Sequence, residues 1–292
     1  MCGICGKLTY CDETPSPETI RAMCATIIHR GPDDEGIYTA THIGLGQRRL
    51  SIIDLTASAC PPLSNEDRTI WLVFNGEIYN FKELRLNLQK NGHRFETNSD
   101  TEVIVHLYED DGVACLKKLR GMFAFALWDK RREILFCARD RMGKKPFCYT
   151  LTKKSFVFGS EIKAITADPD VSVSPNYHAI DQYLTYQFIP SPLTAFDGIE
   201  RLRPGEYLIC DLQGNLKTER YWEPPVFREK YTSQEEIIEE LLKRLRKSIR
   251  MRIISDVPLG AFLSGGIDSA TIVALMAQES TRPVKTFSIG FE

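Results

Sequence analysis

The sequence predicts a layered α+β domain with antiparallel sheets, followed by the beginning of a parallel-sheet α/β domain. From residue 122 onwards, short strand-like segments follow one another with brief turns, and helical segments lie at both ends of this run. Residues 223–232 are Pro-rich and of mixed charge, which is typical of an interdomain linker. After them, an apolar strand, a Gly loop, a helix and another strand form a βαβ pattern. The expected domains are residues 1–222 and 233–292.

The composition is that of an ordinary globular protein. Of 292 residues, 43% are hydrophobic and 26% are charged, and the formal net charge is −2. This balance gives no support for binding nucleic acid or a membrane surface. No apolar run approaches the ~18 residues of a membrane span, and no secretory signal is recognisable. The nine cysteines are odd in number and scattered, which favours reduced thiols and a cytoplasmic location.

Caps, breaks and periodicity predict the N-terminal elements. Ser16 and Pro17 are typical of a helix start, and Gly31-Pro32 ends that helix. Its buried face is expected to contain Ile20, Met23, Cys24, Ile27 and Ile28. Strands are expected over residues 3–10, 37–41, 43–50 and 70–74. The last strand meets Asn75-Gly76, a pair that indicates a turn.

Two helices and a series of hairpins are expected next. A helix over 81–91 is closed by Gly92, and Ser99-Asp100-Thr101-Glu102 opens another. The second helix is expected to bury Val103, Ile104, Leu107 and Tyr108. The remaining elements are strands over 123–129, 133–139, 146–150 and 155–160, a helix over 177–186, and a hairpin of 206–211 with 216–222.

The C-terminal segment begins with a capped helix. Ser233 and Glu236 form a capping-box pattern, and acidic residues precede basic ones along the helix, as the helix dipole favours. Its apolar stripe is expected to be Ile238, Leu241, Leu245 and Ile249. A strand over 257–263, a helix over 270–276 and a strand over 285–290 follow. Because two parallel strands cannot bury a core alone, we expect this to be the start of a larger domain whose remainder is absent.

The loop from Ser264 to Ser269 carries the more specific of two chemical signals. Its paired glycines allow close backbone approach, and the start of a helix presents N–H groups to an anion. No Lys follows the glycines and no G-x-G-x-x-G is present, so neither a Walker A loop nor a dinucleotide fingerprint is formed. The alternative is a helix cap without a ligand. Ser-Gly-Gly-x-Asp-Ser resembles the pyrophosphate loop of the ATP pyrophosphatase family, which cleaves ATP to AMP and pyrophosphate.

Cys2 is the other signal, because removal of Met1 would place a thiol and a free α-amine on one residue. An α-amine titrates at about pH 7.7–8.0, so it can accept the thiol's proton. Seen alone, Cys2 merely follows the initiator Met. With Cys5 it could also form half of a zinc site or a redox pair. No second C-x-x-C completes a zinc site, and the five histidines, at 29, 42, 93, 106 and 178, are scattered.

Arg49, Asn75-Gly76-Glu77 and Asp100 are residue types that suit the binding and cleavage of an amino-acid amide. A guanidinium holds an α-carboxylate in bidentate fashion, and two carboxylates hold an α-ammonium. An Asn amide beside a Gly N–H stabilises an oxyanion. Spacing alone does not bring these residues together, and a single Arg or Asp more often forms a surface ion pair.

The order of motifs resembles that of class II glutamine amidotransferases. The motifs are Met1-Cys2-Gly3-Ile4, His29-Arg30-Gly31-Pro32-Asp33, Arg49-Leu50-Ser51-Ile52, Phe74-Asn75-Gly76-Glu77-Ile78-Tyr79-Asn80, Ser99-Asp100-Thr101-Glu102 and Arg139-Asp140-Arg141. With Ser264–Ser269 downstream, the whole chain is similar to the family of glutamine-hydrolysing asparagine synthetases. This resemblance implies a four-layer αββα N-terminal nucleophile hydrolase sandwich, followed by the beginning of an ATP pyrophosphatase domain.

The resemblance also implies roles for individual residues. Cys2 attacks glutamine to give a γ-glutamyl thioester and ammonia, and Asn75 and Gly76 form the oxyanion hole. The expected glutamine contacts are Arg49, Leu50, Ser51, Ile52, Ile53, Asn75, Gly76, Glu77 and Asp100. The expected ATP contacts are Leu263, Ser264, Gly265, Gly266, Asp268, Ser269 and Ile289, with Asp268 also contacting Mg²⁺. Ammonia would reach a β-aspartyl-AMP intermediate through an internal channel.

Departures from the family pattern are modest. They are Cys5, Met142 and Lys144, none of which is expected to touch substrate.

Expected ligands are glutamine, ATP with Mg²⁺ and aspartate, without a tightly bound cofactor or nucleic acid, and the family commonly forms homodimers. The residues that select the acceptor lie beyond residue 292, so this chain alone is expected to hydrolyse glutamine without synthesis. The alternatives are an amidotransferase for another carboxylate and a non-catalytic module. Retention of Cys2 and Arg49 disfavours the second, and Ser264–Ser269 disfavours sugar-phosphate and purine amidotransferases.

Overall fold

Two six-stranded antiparallel sheets form the first part of the computed structural model. Their strand orders are β10-β8-β9-β1-β3-β2 and β12-β11-β7-β6-β5-β4. The strands are β1 Gly3–Thr9, β2 Asp34–Ala40, β3 Ile43–Arg49, β4 Leu63–Ser64, β5 Ile70–Ile78, β6 Gly121–Asp129, β7 Ile134–Arg139, β8 Cys148–Leu151, β9 Ser155–Gly159, β10 Ile199–Arg201, β11 Glu206–Asp211 and β12 Leu216–Arg220. The helices of this part are α1 Pro17–Thr26, α2 Phe81–Lys90, α3 Glu102–Asp111, α4 Cys115–Lys118, α5 Ile162–Thr166 and α6 Tyr177–Tyr186.

The structure describes residues 2–226 and 233–290, and the chain forms two units, Met1–Glu223 and Pro224–Glu292. Met1 and most of the segment predicted as a linker, residues 227–232, lie outside the described residues. Across the described ranges, no helix combines the length and the hydropathy needed to cross a bilayer.

The two sheets pack face to face, and helices cover their outer faces. Ile4 and Leu8 of one sheet share a fully buried core with Val73 and Ala126 of the other. On the outer face of the first sheet, α1 and α5 contribute to a second core. On the other sheet, the Tyr108 ring of α3 stacks on Phe136 with ring centroids 5.5 Å apart. The layers therefore run helix, sheet, sheet, helix, which confirms the predicted αββα architecture.

Helix α1 begins at its predicted cap, where Ser16 Oγ accepts a hydrogen bond from Thr19 N at 3.2 Å. Four of its five predicted core residues are fully buried: Ile20, Met23, Cys24 and Ile27. The prediction for Ile28 is wrong, because this side chain is 53% exposed. The α-helix ends at Thr26 and residues 28–30 form a tighter 3₁₀ turn. This change of pitch rotates Ile28 away from the core.

The turn predicted at Asn75-Gly76 is also wrong. Strand β5 continues through both residues to Ile78, with Asn75 opposite Ala124 and Gly76 opposite Phe123 of β6. A Cβ atom on residue 76 would lie 2.2 Å from the carbonyl oxygen of Met122. Glycine at this position therefore permits close contact between two strands, and it does not mark a chain reversal.

The second unit contains a parallel strand pair. Its elements are α7 Gln234–Arg252, β13 Gly260–Phe262, α8 Ile267–Glu279 and β14 Lys285–Phe287. Strands β13 and β14 pair in parallel, with Gly260 opposite Lys285, which confirms the predicted βαβ order. Both strands are shorter than predicted, and α8 extends beyond its predicted bounds at both ends.

The stripe predicted for α7 is buried only at its C-terminal end. Ile249 is buried and Leu245 is half-buried, whereas Ile238 and Leu241 are exposed. The C-terminal half of α7 contacts α8, where Arg246 Nη2 donates to Gln278 Oε1 at 2.9 Å. Periodicity identified the apolar side of the helix but not how far the partner helix extends along it.

Truncation of Phe158 between the sheets should destabilise the first unit strongly. Phe158 is fully buried and stacks on Phe147 with ring centroids 5.5 Å apart. We expect Phe158→Ala to lower the free energy of unfolding by about 3–5 kcal/mol through cavity formation. Urea unfolding followed by tryptophan fluorescence measures this, because all three tryptophans lie in the first unit. The control Phe188→Ala, at a 60% exposed position, should change it by less than about 0.5 kcal/mol. Equal losses would contradict the assigned core.

Candidate active site

A cavity of about 160 Å³ opens beside the start of β1, the end of β3 and the middle of β5. It is smaller than the ~300–1,000 Å³ typical of drug-sized sites, so it suits a small metabolite. The cavity is lined by Cys2, Gln47, Arg49, Leu50, Ile52, Ile53, Ala59, Pro61, Phe74, Asn75, Gly76, Glu77, Ser99, Asp100, Thr101, Met122 and Lys145. The predicted glutamine-site residues are therefore together, with one exception. Ser51 does not line the cavity, and its N–H donates to Asp33 Oδ2 at 2.9 Å.

The sulfur of Cys2 is held against the end of β3. Leu50 N lies 3.4 Å from Cys2 Sγ as a donor, and the thiol contacts Leu50 O at 3.6 Å. Arg30 Nε donates to the Cys2 carbonyl at 3.0 Å, so the His29–Asp33 motif fixes the main chain at the cysteine. Burial raises the pKa of the Cys2 thiol. At neutral pH the thiol is therefore protonated and needs a base to become a strong nucleophile.

Asn75 carries a fully buried amide without a hydrogen-bond partner. Its side chain is 0% exposed, and neither Oδ1 nor Nδ2 has a partner among the residues that the structure describes. A buried polar group in this state costs roughly 1–3 kcal/mol. A buried group left unpaired in this way is typical of a site where a ligand supplies the missing hydrogen-bond partner. The Nδ2 donor of Asn75 and the adjoining residue Gly76 form the polar wall of the cavity that also contains Cys2.

Two carboxylates form the acidic side of the cavity. Asp100 is buried, and its Oδ2 accepts a hydrogen bond from Ile78 N at 2.7 Å. Burial, aided by the charge of Glu77, raises the pKa of Asp100 to about 7. Burial also raises the pKa of Glu77. A cationic ligand between these two groups would favour their ionised forms, so the pair is suited to an ammonium.

Arg49 is buried at the end of β3, with its guanidinium against the 53–56 loop. Its Nη1 donates to Thr56 O at 3.2 Å, and Nη2 donates to the carbonyls of Ile53 and Asp54. Asp34 Oδ2 lies 3.5 Å from Nη1. These contacts fix the guanidinium of Arg49, which lines the same cavity as the acidic pair.

Cys5 does not take part in this site. Its side chain is fully buried in the core beneath α1, and its Sγ lies 3.5 Å from Cys24 Sγ. Successive strand residues point to opposite faces, so residues 2 and 5 of this segment face different surroundings. Cys5 is a core residue.

Lys145 and Gln47 line the cavity although the sequence did not single them out as site residues. Lys145 is 4% exposed, and burial lowers the pKa of its ammonium, an effect opposed by the nearby charges of Glu77 and Cys2. Gln47 Oε1 accepts a hydrogen bond from Phe74 N at 2.7 Å, which ties β3 to β5 beside Asn75. Lys145 follows the Arg139-Asp140-Arg141 motif closely in sequence, and this position was the available signal that it belongs to the site.

The Gly loop of the second unit is arranged as predicted, but it forms an open surface. Ser264 Oγ lies 3.0 Å from Ser269 Oγ, and Gly265 has a φ of +85°. The cap residue of α8, Gly266, offers no side chain to the first N–H groups. Asp268 and Ile289 are exposed. Leu263 N donates to Phe287 O at 2.8 Å, which places the end of β14, next to Ile289, beside the loop.

The cavity described in this unit has a different lining. It is formed by Ile253, Ser255, Asp256, Val257, Pro258, Leu259, Met276, Ser280, Arg282, Pro283, Val284 and Lys285. None of the seven residues predicted to contact ATP belongs to it.

Comparison with known sequences supports two parts in the chain. Residues 1–222 match the family profile "Glutamine amidotransferase domain", and residues 240–292 match the profile "Asparagine synthase". "Asparagine synthetase [glutamine-hydrolyzing] 1" of Bacillus subtilis is 40% identical, and the match covers 100% of this chain and 46% of the relative. A "Putative asparagine synthetase [glutamine-hydrolyzing] 2" of Methanocaldococcus jannaschii is 40% identical, with 100% and 60% covered. The chain thus spans about half the length of these curated relatives.

A solved structure with the same fold is the glutamine phosphoribosylpyrophosphate amidotransferase of B. subtilis. The TM-score is 0.56 at 19% sequence identity, and the match covers 98% of this chain and 65% of that one. This similarity supports the predicted N-terminal nucleophile hydrolase fold.

The raised pKa of Asp100 predicts a pH-dependent stability. Its folded pKa of about 7 lies above the unfolded value of about 3.9. The contribution of this group is therefore fully present below about pH 4 and is lost as the pH rises through 7. Between pH 4 and 8 this group should cost the wild type about 2–4 kcal/mol of unfolding free energy. We expect Asp100→Asn not to show that loss. Urea titrations at several pH values measure it. Asp12→Asn, at a position whose side chain is 91% exposed, should track the wild type. Parallel curves for Asp100→Asn would contradict this assignment.

Proposed function

This chain belongs to the glutamine amidotransferase domain family, and from that premise we propose that it hydrolyses glutamine with Cys2 as nucleophile. The observation that carries the proposal is the buried, unpartnered amide of Asn75 in the same cavity as Cys2. An oxyanion that forms during acyl transfer supplies the acceptor that Asn75 Nδ2 lacks. The amide is thus better satisfied in the transition state than in the free protein, as catalysis requires.

The first half of the reaction needs a base for a thiol that burial keeps protonated. After removal of Met1, the α-amine of Cys2 takes the proton of the thiol, and Sγ forms a bond to the amide carbon of glutamine. The carbonyl oxygen becomes an oxyanion held by Asn75 Nδ2 and the N–H of Gly76. When this intermediate collapses, the C–N bond breaks and the leaving amide nitrogen takes the proton from the α-ammonium. Ammonia and a γ-glutamyl thioester are the products.

The second half restores the enzyme. Water attacks the thioester carbon while the α-amine of Cys2 accepts a proton from it. The same two donors hold the second oxyanion, and the C–S bond breaks to release glutamate. The thiolate then recovers the proton from the α-ammonium. One base residue therefore serves both halves of the reaction in turn.

The other walls of the cavity fit the backbone groups of glutamine. Arg49 would hold the α-carboxylate, and Glu77 and Asp100 would hold the α-ammonium. Binding of the ammonium would lower the pKa of Asp100 and keep it ionised. Leu50, Ile52 and Ile53 would form the remaining contacts. Lys145, which lies in the same cavity as Cys2 and Glu77, would offset part of the negative charge of the acidic pair.

For the second unit, we propose ATP binding at the Gly loop, through Leu263, Ser264, Gly265, Gly266, Asp268, Ser269 and Ile289. Uncapped N–H groups at the start of α8 suit a phosphate, and Asp268 would contact Mg²⁺. The names of the relatives favour aspartate as the carboxylate that ATP activates and ammonia aminates. In a longer polypeptide this gives asparagine, AMP and pyrophosphate. A different carboxylate acceptor is the alternative.

The nucleophile is tested by Cys2→Ala. We expect this variant to lose glutaminase activity by a factor of at least about 10⁴, because Cys2 supplies the only thiol among the residues that line the described cavity. Glutamate release is the assay, and intact mass should show that the active wild type lacks Met1. Cys11→Ala is the matched control, since Cys11 is exposed and free and should leave activity unchanged. Activity that survives in Cys2→Ala, or full activity with Met1 retained, would rule out the mechanism.

The nucleotide proposal is tested by binding of ATP with Mg²⁺ to this chain. We expect the double variant Ser264→Ala/Ser269→Ala to bind at least tenfold more weakly, because the two hydroxyls lie at the loop and at the helix start. Isothermal titration calorimetry measures the affinity, and glutaminase activity should not change. Ser280→Ala, at the C-terminal end of α8, is the control. Equal affinity in the double variant, or no nucleotide binding by the wild type, would refute the assignment.

A further inference from the structure

A cluster of four metal-ligating side chains lies outside the glutamine cavity. One ligand atom from each lies within 4.8 Å of the others, and the members of this His–Glu cluster are Glu66, His93, His106 and Glu109. Three separate segments bring them together. Glu66 lies in the turn between β4 and β5, His93 follows α2, and the other two occupy positions i and i+3 of α3.

The separations within the His–Glu cluster are close to those of a tetrahedral metal site. With bonds of about 2.0–2.2 Å, tetrahedral zinc ligands lie about 3.3–3.6 Å apart. His106 Nδ1 lies 3.2 Å from Glu109 Oε2 and 3.6 Å from Glu66 Oε2. His93 Nδ1 lies 3.7 Å from Glu66 Oε1 and 3.8 Å from Glu109 Oε2. All ligand atoms lie within 4.8 Å of one another, so shifts of up to about an ångström would give four ligands around one ion.

Neighbouring groups already orient the ligands. Asn65 Nδ2 donates to Glu109 Oε1 at 2.8 Å, which leaves Oε2 facing both imidazoles. The main-chain N–H of Arg94 donates to Glu66 Oε1 at 2.9 Å. Both histidines point the same nitrogen, Nδ1, into the cluster. Because the side chains are already oriented, metal binding loses less conformational entropy.

Each imidazole also has a carboxylate at its far nitrogen. His93 Nε2 lies 3.0 Å from Asp110 Oδ1, and His106 Nε2 lies 3.7 Å from Glu102 Oε1. A carboxylate behind a histidine fixes the tautomer whose other nitrogen is free to bind a metal. His106 Nε2 is buried and has no hydrogen-bond partner within the described residues. A small movement of the ring on binding an ion would bring it within reach of Glu102.

The charge of the cluster favours a cation. The surrounding carboxylates are those of Glu66, Glu109, Glu102 and Asp110. The Phe95 ring packs edge-on against His106 with centroids 4.6 Å apart and provides an apolar side. Two nitrogens and two carboxylate oxygens suit zinc and similar divalent transition metals better than Mg²⁺ or Ca²⁺, which prefer oxygen alone.

We propose that the His–Glu cluster binds one divalent transition-metal ion, of the zinc type, in a tetrahedral structural site. The ion would join the turn after β4, the loop after α2 and helix α3. Its effect reaches the loop at residues 91–101 through Glu102, which accepts hydrogen bonds from the N–H groups of Glu96 and Thr97 at 2.7 and 2.8 Å. None of the four proposed ligands lines the glutamine cavity.

The test is titration of the chelator-treated full chain with Zn²⁺ and with Co²⁺. We expect one Zn²⁺ per chain by calorimetry and a raised urea midpoint, since an ion that binds only the folded state stabilises it. Co²⁺ should give the intense visible absorption of a tetrahedral ion. It should give no thiolate-to-metal charge-transfer band, because the proposed ligands contain no cysteine.

Two variants separate loss of the site from loss of the fold. Glu66→Gln changes a side chain that is 37% exposed and should fold normally, yet bind Zn²⁺ at least tenfold more weakly. Asp110→Asn, which keeps all four ligands and removes the carboxylate behind His93, should weaken binding about 10–100-fold. His178→Ala, an exposed histidine elsewhere, is the matched control and should bind as the wild type does. Absence of Zn²⁺ binding, a thiolate band, or unchanged affinity in Glu66→Gln would each overturn the proposal.

Discussion

The face-to-face packing of the two sheets is the constraint on which the site depends. Strands β1 and β5 lie in different sheets, and their inward side chains, such as Ile4 and Val73, share one core. This packing brings the first residues of the chain beside the middle of β5. The register of β1 is fixed as well. The N–H of Ser160 donates to the carbonyl of Ile4, and the N–H of Ile4 donates to Ser160 Oγ. Cys2 is therefore positioned by the whole sandwich, through the strand that follows it.

Burial explains both the energetic cost and the proposed reactivity of the cavity. The unpartnered amide of Asn75, the raised pKa of Asp100 and the protonated thiol of Cys2 are each unfavourable in the free protein. A ligand with an oxyanion and an ammonium relieves the first two, and a nearby base relieves the third. Natural proteins tolerate such groups mainly at functional sites, where the surrounding fold outweighs their cost.

Much of the fold could be predicted from local chemistry, whereas tertiary contacts decided the rest. Ser16 and Ser233 cap helices as their patterns indicate. Asn75-Gly76 failed as a turn because tertiary pairing with β6 overrides local propensity. The sequence identified most of the cavity lining through motif resemblance, but spacing could not show convergence. His93 and His106 illustrate the limit, because they are scattered in sequence and meet only when α3 packs beside the loop after α2.

The covalent intermediate offers the most direct test of the central claim. The wild-type chain would be mixed with glutamine, quenched in acid during turnover, digested and analysed by mass spectrometry. We expect a γ-glutamyl group on Cys2 in an N-terminal peptide that lacks Met1. A glutamyl group on any other residue, or one on Cys2 of a peptide that still carries Met1, would contradict the proposal that a single N-terminal residue supplies both nucleophile and base.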